Sequence, residues 1–168
     1  VFPLFSLEGR RFWILGLVPI KRQHVLWSKL WFAFVASLVI TEILMVTSDV
    51  ILGEPAWLLL VHVFTVAMIS LGLSGLSAGL SALYPNLRES SPAKIVSGFG
   101  GTLNLILSML YVSVVVVVEA IPLHLWRVGR ISTAAMAWGV CGALGVLLVL
   151  TAAAFGLPMW LGSKALAK

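Results

Sequence analysis

The chain has 168 residues, of which 61% are hydrophobic and only 10% are charged. A soluble domain carries about 25% charged residues, so this composition excludes a protein that covers its surface in water. It indicates an integral membrane protein instead. The net charge of +5 does not point to nucleic acid, because the basic residues lie between apolar runs and no nucleic-acid-binding motif is present.

The first 29 residues form a polar stretch ahead of the apolar runs. Residues 6–18 mix charged and bulky apolar side chains, which predicts a short amphipathic helix at the membrane surface. Ser6 can cap this helix, and Glu8 falls in its first turn, where the helix dipole favours an acid. Pro19 disfavours helix at the residue before it. A basic collar follows, made of Lys21, Arg22 and His24.

Residues 30–168 are predicted to form an all-α, four-span transmembrane domain. A span needs about 20 apolar residues, and only a helix pairs its own backbone groups in hydrocarbon, so the valines at 114–118 also belong to a helix. Pro122 is predicted to open a connection, and Pro158 to end the last helix. The predicted spans cover about residues 30–52, 56–83, 98–121 and 132–157.

The distribution of lysine and arginine predicts the orientation. Nine of the eleven fall in the N-terminal stretch, the polar loop at 84–97 and the C-terminal tail, whereas Arg127 and Arg130 lie at the opposite face. Cytoplasmic loops carry the excess of positive charge. We therefore expect a multi-pass protein with both termini in the cytoplasm.

Two acidic residues in the first span are candidates for a substrate path. Glu42 and Asp49 are seven residues apart and so share one face of a helix. An acid inside the membrane is a functional candidate by default. The alternative is that Glu42 hydrogen-bonds a neighbouring helix and Asp49 lies at the outer interface.

Small residues predict close contacts between the spans, because they let helix backbones approach each other. The alternative is a face that slides during a transport cycle. The glycines in this set are Gly75, Gly79, Gly139 and Gly142.

The sequence predicts no catalytic or metal-binding residue and no cofactor bound by this chain. The three histidines lack the spacing of a metal site, and neither a nucleophile motif nor a phosphate loop is present. Two alternatives to transport stay open. One is a membrane-embedded enzyme that uses Glu42, Asp49 or His62, and the other is a scaffold whose basic collar binds anionic lipid.

Two stretches resemble the ABC-2-type exporter permeases, which are membrane subunits of bacterial ABC transporters. The first has Glu8 and Gly9 at the start of a short helix, then Pro19, then Lys29 at the beginning of a span. The second is the loop Ala-Leu-Tyr-Pro-Asn-Leu-Arg-Glu, residues 82–89, together with residues 92–101. The resemblance covers most of the chain.

The resemblance implies a partner ATPase subunit that carries ATP and Mg²⁺, so this chain is not expected to be an enzyme. Residues 7–17 would be the coupling helix, which contacts the ATPase through Glu8, Gly9, Arg10, Arg11 and Pro19. A second cytoplasmic contact would involve Asn86, Arg88, Glu89 and Lys94.

The resemblance also implies a dimer, formed with a second permease copy or half, in the bacterial inner membrane. Members of the family usually have six spans with the coupling helix after the second. We therefore expect this chain to be the C-terminal four-span part of a longer permease.

Overall fold

The computed structural model describes residues 22–84 and 92–166, and the regular secondary structure of this part is entirely α-helical. The described helices are α1 (Arg22–Leu52), α2 (Ala56–Leu83), α3 (Pro92–Ser97), α4 (Phe99–Arg127) and α5 (Thr133–Leu166). The predicted all-α fold class is confirmed. The amphipathic helix predicted at residues 7–17 lies outside the described residues.

Four of these helices are long and apolar enough to cross a membrane. Their candidate spans have 26 to 32 residues each. Large apolar side chains cover their outer surfaces, as Ile51 at 79% exposure and Trp138 at 80% exposure illustrate. Such surfaces suit lipid rather than water, so the prediction of a multi-pass membrane protein is confirmed.

Helix α1 extends beyond the start of the first predicted span, whereas the start of the third long helix agrees with the prediction to within one residue. Helix α1 begins at Arg22 rather than at residue 30, so Arg22 and His24 of the basic collar already belong to this helix. Long basic side chains at the end of a span can extend their charged groups towards water, which allows the helix to continue beyond its apolar part. The third long helix begins at Phe99, and the short helix α3 precedes it.

Two prolines that we expected to stop helices lie inside them. Helix α4 continues through Pro122 to Arg127, and α5 continues through Pro158 to Leu166. The predicted connection from 122 to 131 is therefore shorter, and the last helix runs beyond residue 157. Membrane helices tolerate proline because neighbouring elements can satisfy the freed backbone groups.

Helix α2 is the central element of the described bundle. It packs against α1, α4 and α5, and its most extensive contact is with α5. Most residues between Ser70 and Ala82 are buried, and most of them are serine, glycine or alanine. These small residues allow the neighbouring backbones to approach α2 closely.

Candidate functional site

Charged side chains lie inside the bundle near the turn between α1 and α2. Nδ1 of His62 on α2 lies 2.9 Å from Oδ2 of Asp49 on α1. The Asp49 side chain is only 4% exposed. Because a carboxylate in apolar surroundings is costly without a partner, this hydrogen bond accounts for the buried position of Asp49.

A second buried pair lies one helical turn further along α2. The Thr65 hydroxyl donates a hydrogen bond of 2.9 Å to Oε1 of Glu119 on α4. Thr65 is 6% exposed and Glu119 is 8% exposed. Successive turns of α2 therefore hold two different helices, α1 through His62 and α4 through Thr65.

An ion pair closes the same end of the bundle at its surface. Nη2 of Arg127, at the end of α4, lies 2.6 Å from Oε1 of Glu54 in the turn after α1. The Arg127 side chain is 57% exposed, so the pair contributes only about 0–1 kcal/mol to stability. We call these six residues the polar layer: Asp49, Glu54, His62, Thr65, Glu119 and Arg127.

The polar layer joins helices and shows no arrangement for metal binding. Among the described residues, no group of three or more histidine, cysteine, aspartate or glutamate side chains could hold a metal ion. Its hydrogen bonds instead connect α1, α2 and α4 at one end.

A groove whose mostly apolar surface carries several hydroxyl and amide groups begins next to this layer. Its volume is about 500 Å³, with α2 as its floor, α1 and α4 as its walls and Val96 of α3 at one end. Seven of its eleven lining residues carry a hydroxyl or amide group. We call it the hydroxyl groove, and those seven residues are Ser37, Thr41, Ser70, Ser74, Ser77, Asn104 and Ser108.

Two hydrogen bonds cross between helices in the hydroxyl groove. The hydroxyl oxygens of Thr41 on α1 and Ser70 on α2 lie 3.3 Å apart. The Ser77 hydroxyl donates to Oδ1 of Asn104 on α4 at 3.1 Å. Both walls of the groove are therefore bonded to its floor.

A second cavity, of about 470 Å³, lies between α2, α4 and α5 and is almost entirely apolar. Leucines form much of its lining, and Tyr111 lies at its edge. The Tyr111 hydroxyl donates to the Met68 carbonyl at 3.3 Å and shares a 2.8 Å hydrogen bond with Thr151 of α5. With its hydroxyl engaged in this way, Tyr111 presents mainly apolar surface to the cavity.

The two acids predicted on a substrate path occupy different surroundings. Asp49 is engaged with His62, as described above. Both carboxylate oxygens of Glu42 are buried, and neither has a hydrogen-bond partner among the described residues. Glu42 is not among the residues that line the hydroxyl groove.

Three of the four glycines predicted at helix contacts lie against a neighbouring helix. A Cβ added at Gly75 would lie 2.5 Å from Cδ2 of Phe155, and one added at Gly79 would overlap the backbone of Pro158. A Cβ at Gly139 would lie 2.7 Å from Cβ of Pro122. Each interior proline thus packs against a glycine, whereas Gly142 has nothing within 4 Å.

The predicted ATPase contacts lie mostly outside the described residues. The coupling segment and the predicted contact residues of the loop before α3 are outside the described part. Lys94 itself is described and is exposed on α3. The residues outside the described part are Glu8, Gly9, Arg10, Arg11, Pro19, Asn86, Arg88 and Glu89.

Sequence reasoning missed the pairing partners in the polar layer. It named His62 only as a candidate residue of a membrane-embedded enzyme and did not single out Glu119. A signal was available in the sequence. Asp49, His62 and Glu119 are titratable side chains that lie within apolar runs, near the same end of the bundle. Thr65 carried no such signal, because threonine is common in spans.

A protein-family model matches the whole chain. The model of a family described as "Putative ATP-binding cassette" matches residues 1–168. The chain belongs to this family. No curated protein and no solved structure matches it. Membership of this ATP-binding cassette family relates the chain to ABC transporters, and the four apolar helices assign its described part to the membrane.

Proposed function

We propose that this chain is the membrane-spanning permease part of an ATP-driven exporter of the ABC-2 type. One observation carries the proposal. The match to an ATP-binding cassette family extends over residues 1–168, and the same residues include four helices that can cross a membrane. A chain of this kind provides the membrane path of an ABC transporter.

We assign ATP hydrolysis to a separate ATPase subunit, although the family description mentions an ATP-binding cassette. A phosphate loop follows a strand and ends in Gly-Lys before a serine or threonine. The sequence contains no Gly-Lys pair, and residues 22–84 and 92–166 form helices without a strand. These features support a chain that binds no ATP or Mg²⁺ itself and is not an enzyme.

Helix α1 suits the transfer of motion from the cytoplasmic face into the membrane. It has 31 residues without a proline inside it, which corresponds to about 46 Å of continuous helix. Its far end is held to α2 by Asp49 and His62. In the proposed mechanism, residues 7–17 dock on the ATPase through Arg10 and Arg11, and α1 carries the displacement to the polar layer.

The remaining features of the proposal follow from charge and resemblance. Both termini and the loop around Arg88 would lie in the cytoplasm of a bacterial cell, with the protein in the inner membrane. The exposed Lys94 on α3 would add to a second contact with the ATPase. A second permease copy or half would complete the transporter.

Copurification from native membranes tests this function. Full-length protein carrying an affinity tag is extracted in mild detergent, reconstituted in lipid and assayed for hydrolysis of Mg-ATP. We expect an ATPase subunit to copurify in a fixed ratio and to hydrolyse ATP in the reconstituted assembly. Absence of any associated ATPase, in a preparation that remains folded, would contradict the proposal.

A further inference from the structure

The hydroxyl groove differs chemically from the rest of the membrane domain. Large apolar side chains cover the outer surfaces of the spans, whereas most of this lining is serine, threonine or asparagine. In hydrocarbon, polar groups need hydrogen-bond partners, because no water supplies them. Apolar surface still makes up most of the groove, so its volume of about 500 Å³ suits a molecule that has both a polar and an apolar part.

Ser74 provides a second, independent observation at the floor of the groove. This residue is 2% exposed and lines the groove. Among the described residues its hydroxyl has no hydrogen-bond partner, unlike Ser70 and Ser77 on the same helix. Because this hydroxyl has no such partner, it can act as a donor and an acceptor for a ligand in the groove.

Asn104 adds further donor capacity at the wall formed by α4. Its Oδ1 accepts the hydrogen bond from Ser77, which identifies the side-chain amide nitrogen as the group left for other partners. That nitrogen can donate two hydrogen bonds. The groove therefore offers donors from both its floor and its wall.

The lining of the groove has no charged side chain, and this restricts the class of ligand. No aspartate, glutamate, lysine, arginine or histidine is among its lining residues. A charged group in this position would be desolvated without a counter-charge, which is costly inside a membrane. The recognised group is therefore uncharged and forms hydrogen bonds, as a sugar, a hydroxyl or an amide does.

The dimensions favour a small molecule over a transmembrane helix. Ligand sites typically enclose about 300–1,000 Å³, and this groove falls in that range. A helix about 10 Å wide and three turns long occupies roughly 1,200 Å³.

We infer that the hydroxyl groove binds the uncharged, hydroxyl- or amide-bearing head of an amphiphile whose apolar tail lies in the bilayer. The binding site follows from the groove alone. Its use as a cargo site rests on the proposed export function. The same chemistry fits either a transported compound or a resident lipid, and the experiment separates the two.

Photolabelling of the full-length protein in phosphatidylcholine nanodiscs tests the site. The probe is a diazirine-bearing alkyl glucoside, and alkyl trimethylammonium and alkyl sulfate probes with the same chain serve as comparisons. We expect the glucoside to label α2 and α4 at the groove, and the charged probes to label it much less. Equal labelling by all three would show that the groove does not recognise an uncharged head and would overturn the inference.

Variants of the groove provide the matched comparison. Ser74→Ala combined with Ser108→Ala should weaken glucoside binding about tenfold, as expected for the loss of two hydrogen bonds. Ser113→Ala is the control, because Ser113 is exposed on the same helix α4 and does not line the groove. Unchanged binding in a folded double variant would overturn the inference.

Two further experiments distinguish a ligand from a protein helix in the groove, and a transported compound from a resident lipid. Ser108→Cys, in a Cys141→Ala background, would crosslink to a second copy if a protein helix fills the groove, and that outcome would also overturn the inference. With Mg-ATP and the associated ATPase, outward movement of the glucoside identifies it as cargo. Binding without movement supports the site as one for a resident lipid, and the export role then fails separately.

Discussion

Thr65 and Glu119 form a buried hydrogen bond of 2.9 Å between α2 and α4, one turn from the contact between His62 and Asp49. Together these bonds join α1, α2 and α4 at one end of the bundle. The hydroxyl groove begins directly beside them, since Val66 is among its lining residues. The polar layer thus closes the end of the groove, and opening of the groove at that end would require these bonds to break.

Removal of the Thr65 hydroxyl should destabilise this end of the bundle. Thr65→Val keeps the shape of the side chain but leaves the buried Glu119 without its donor, so we expect a loss of about 1–3 kcal/mol in the free energy of unfolding. The measurement is denaturant unfolding in mixed micelles, followed by tryptophan fluorescence. Thr47→Val is the control, because the exposed Thr47 hydroxyl donates only to Ile43 of its own helix. An equal loss in both variants would contradict the importance of the buried bond.

The four spans could be predicted from the sequence because a membrane helix needs little beyond length and apolar character. The second span, at residues 56–83, agrees with α2 at both ends. The ends of the third and fourth spans differed because proline was treated as in water, and α1 begins earlier than expected for a separate reason, its basic first turns. Pro122 and Pro158 each pack against a glycine of another helix, and such tertiary contacts do not appear in the local sequence.

The contacts of the polar side chains were harder to predict from the sequence. The spacing of Glu42 and Asp49 places both on one side of α1, but periodicity does not show which helix packs there. Asp49 found its partner in His62 on the next helix, whereas Glu42 found none among the described residues. The hydroxyl groove is built from residues of four helices and therefore has no signature within any single run.

Substitution of Gly79 should disturb the contact between α2 and α5. A Cβ at this position overlaps the Pro158 backbone, which cannot rotate away as a side chain can, so Gly79→Ala should cost about 1–3 kcal/mol. Gly142→Ala is the matched control, because nothing lies within 4 Å of that position. We expect it to be neutral or stabilising by up to about 1 kcal/mol. Thermal unfolding of the purified variants measures both, and a larger loss at Gly142 would refute the packing.

Replacement of Glu42 should stabilise the protein. Its buried carboxylate oxygens have no partner among the described residues, and a carboxamide in apolar surroundings is less costly than a carboxylate. We expect Glu42→Gln to raise the unfolding temperature and to leave glucoside binding in the groove unchanged. Glu54→Gln, which loses the ion pair with Arg127, should give no such rise. If Glu42→Gln instead abolished ATP-driven transport in a stable protein, Glu42 would lie on the substrate path.

Cysteine labelling tests the proposed orientation. In a Cys141→Ala background, we expect Arg130→Cys to react with a membrane-impermeant maleimide on intact spheroplasts. Glu89→Cys should react only after the membrane is permeabilised, because the positive-inside rule places its loop in the cytoplasm. The reverse pattern would invert the topology and remove the cytoplasmic contacts from the proposed mechanism.

The central claim is that a partner ATPase acts on this chain through its N-terminal segment. Its most direct test is the rate of ATP hydrolysis by the copurified assembly in lipid, for the Arg10→Ala and Arg11→Ala double variant. We expect at least about a tenfold loss, with weaker and more salt-sensitive association, because charged contacts set partner recognition. Arg130→Ala, at the opposite face, should hydrolyse ATP normally. A double variant that assembles with the ATPase and turns over at the unaltered rate would contradict the account.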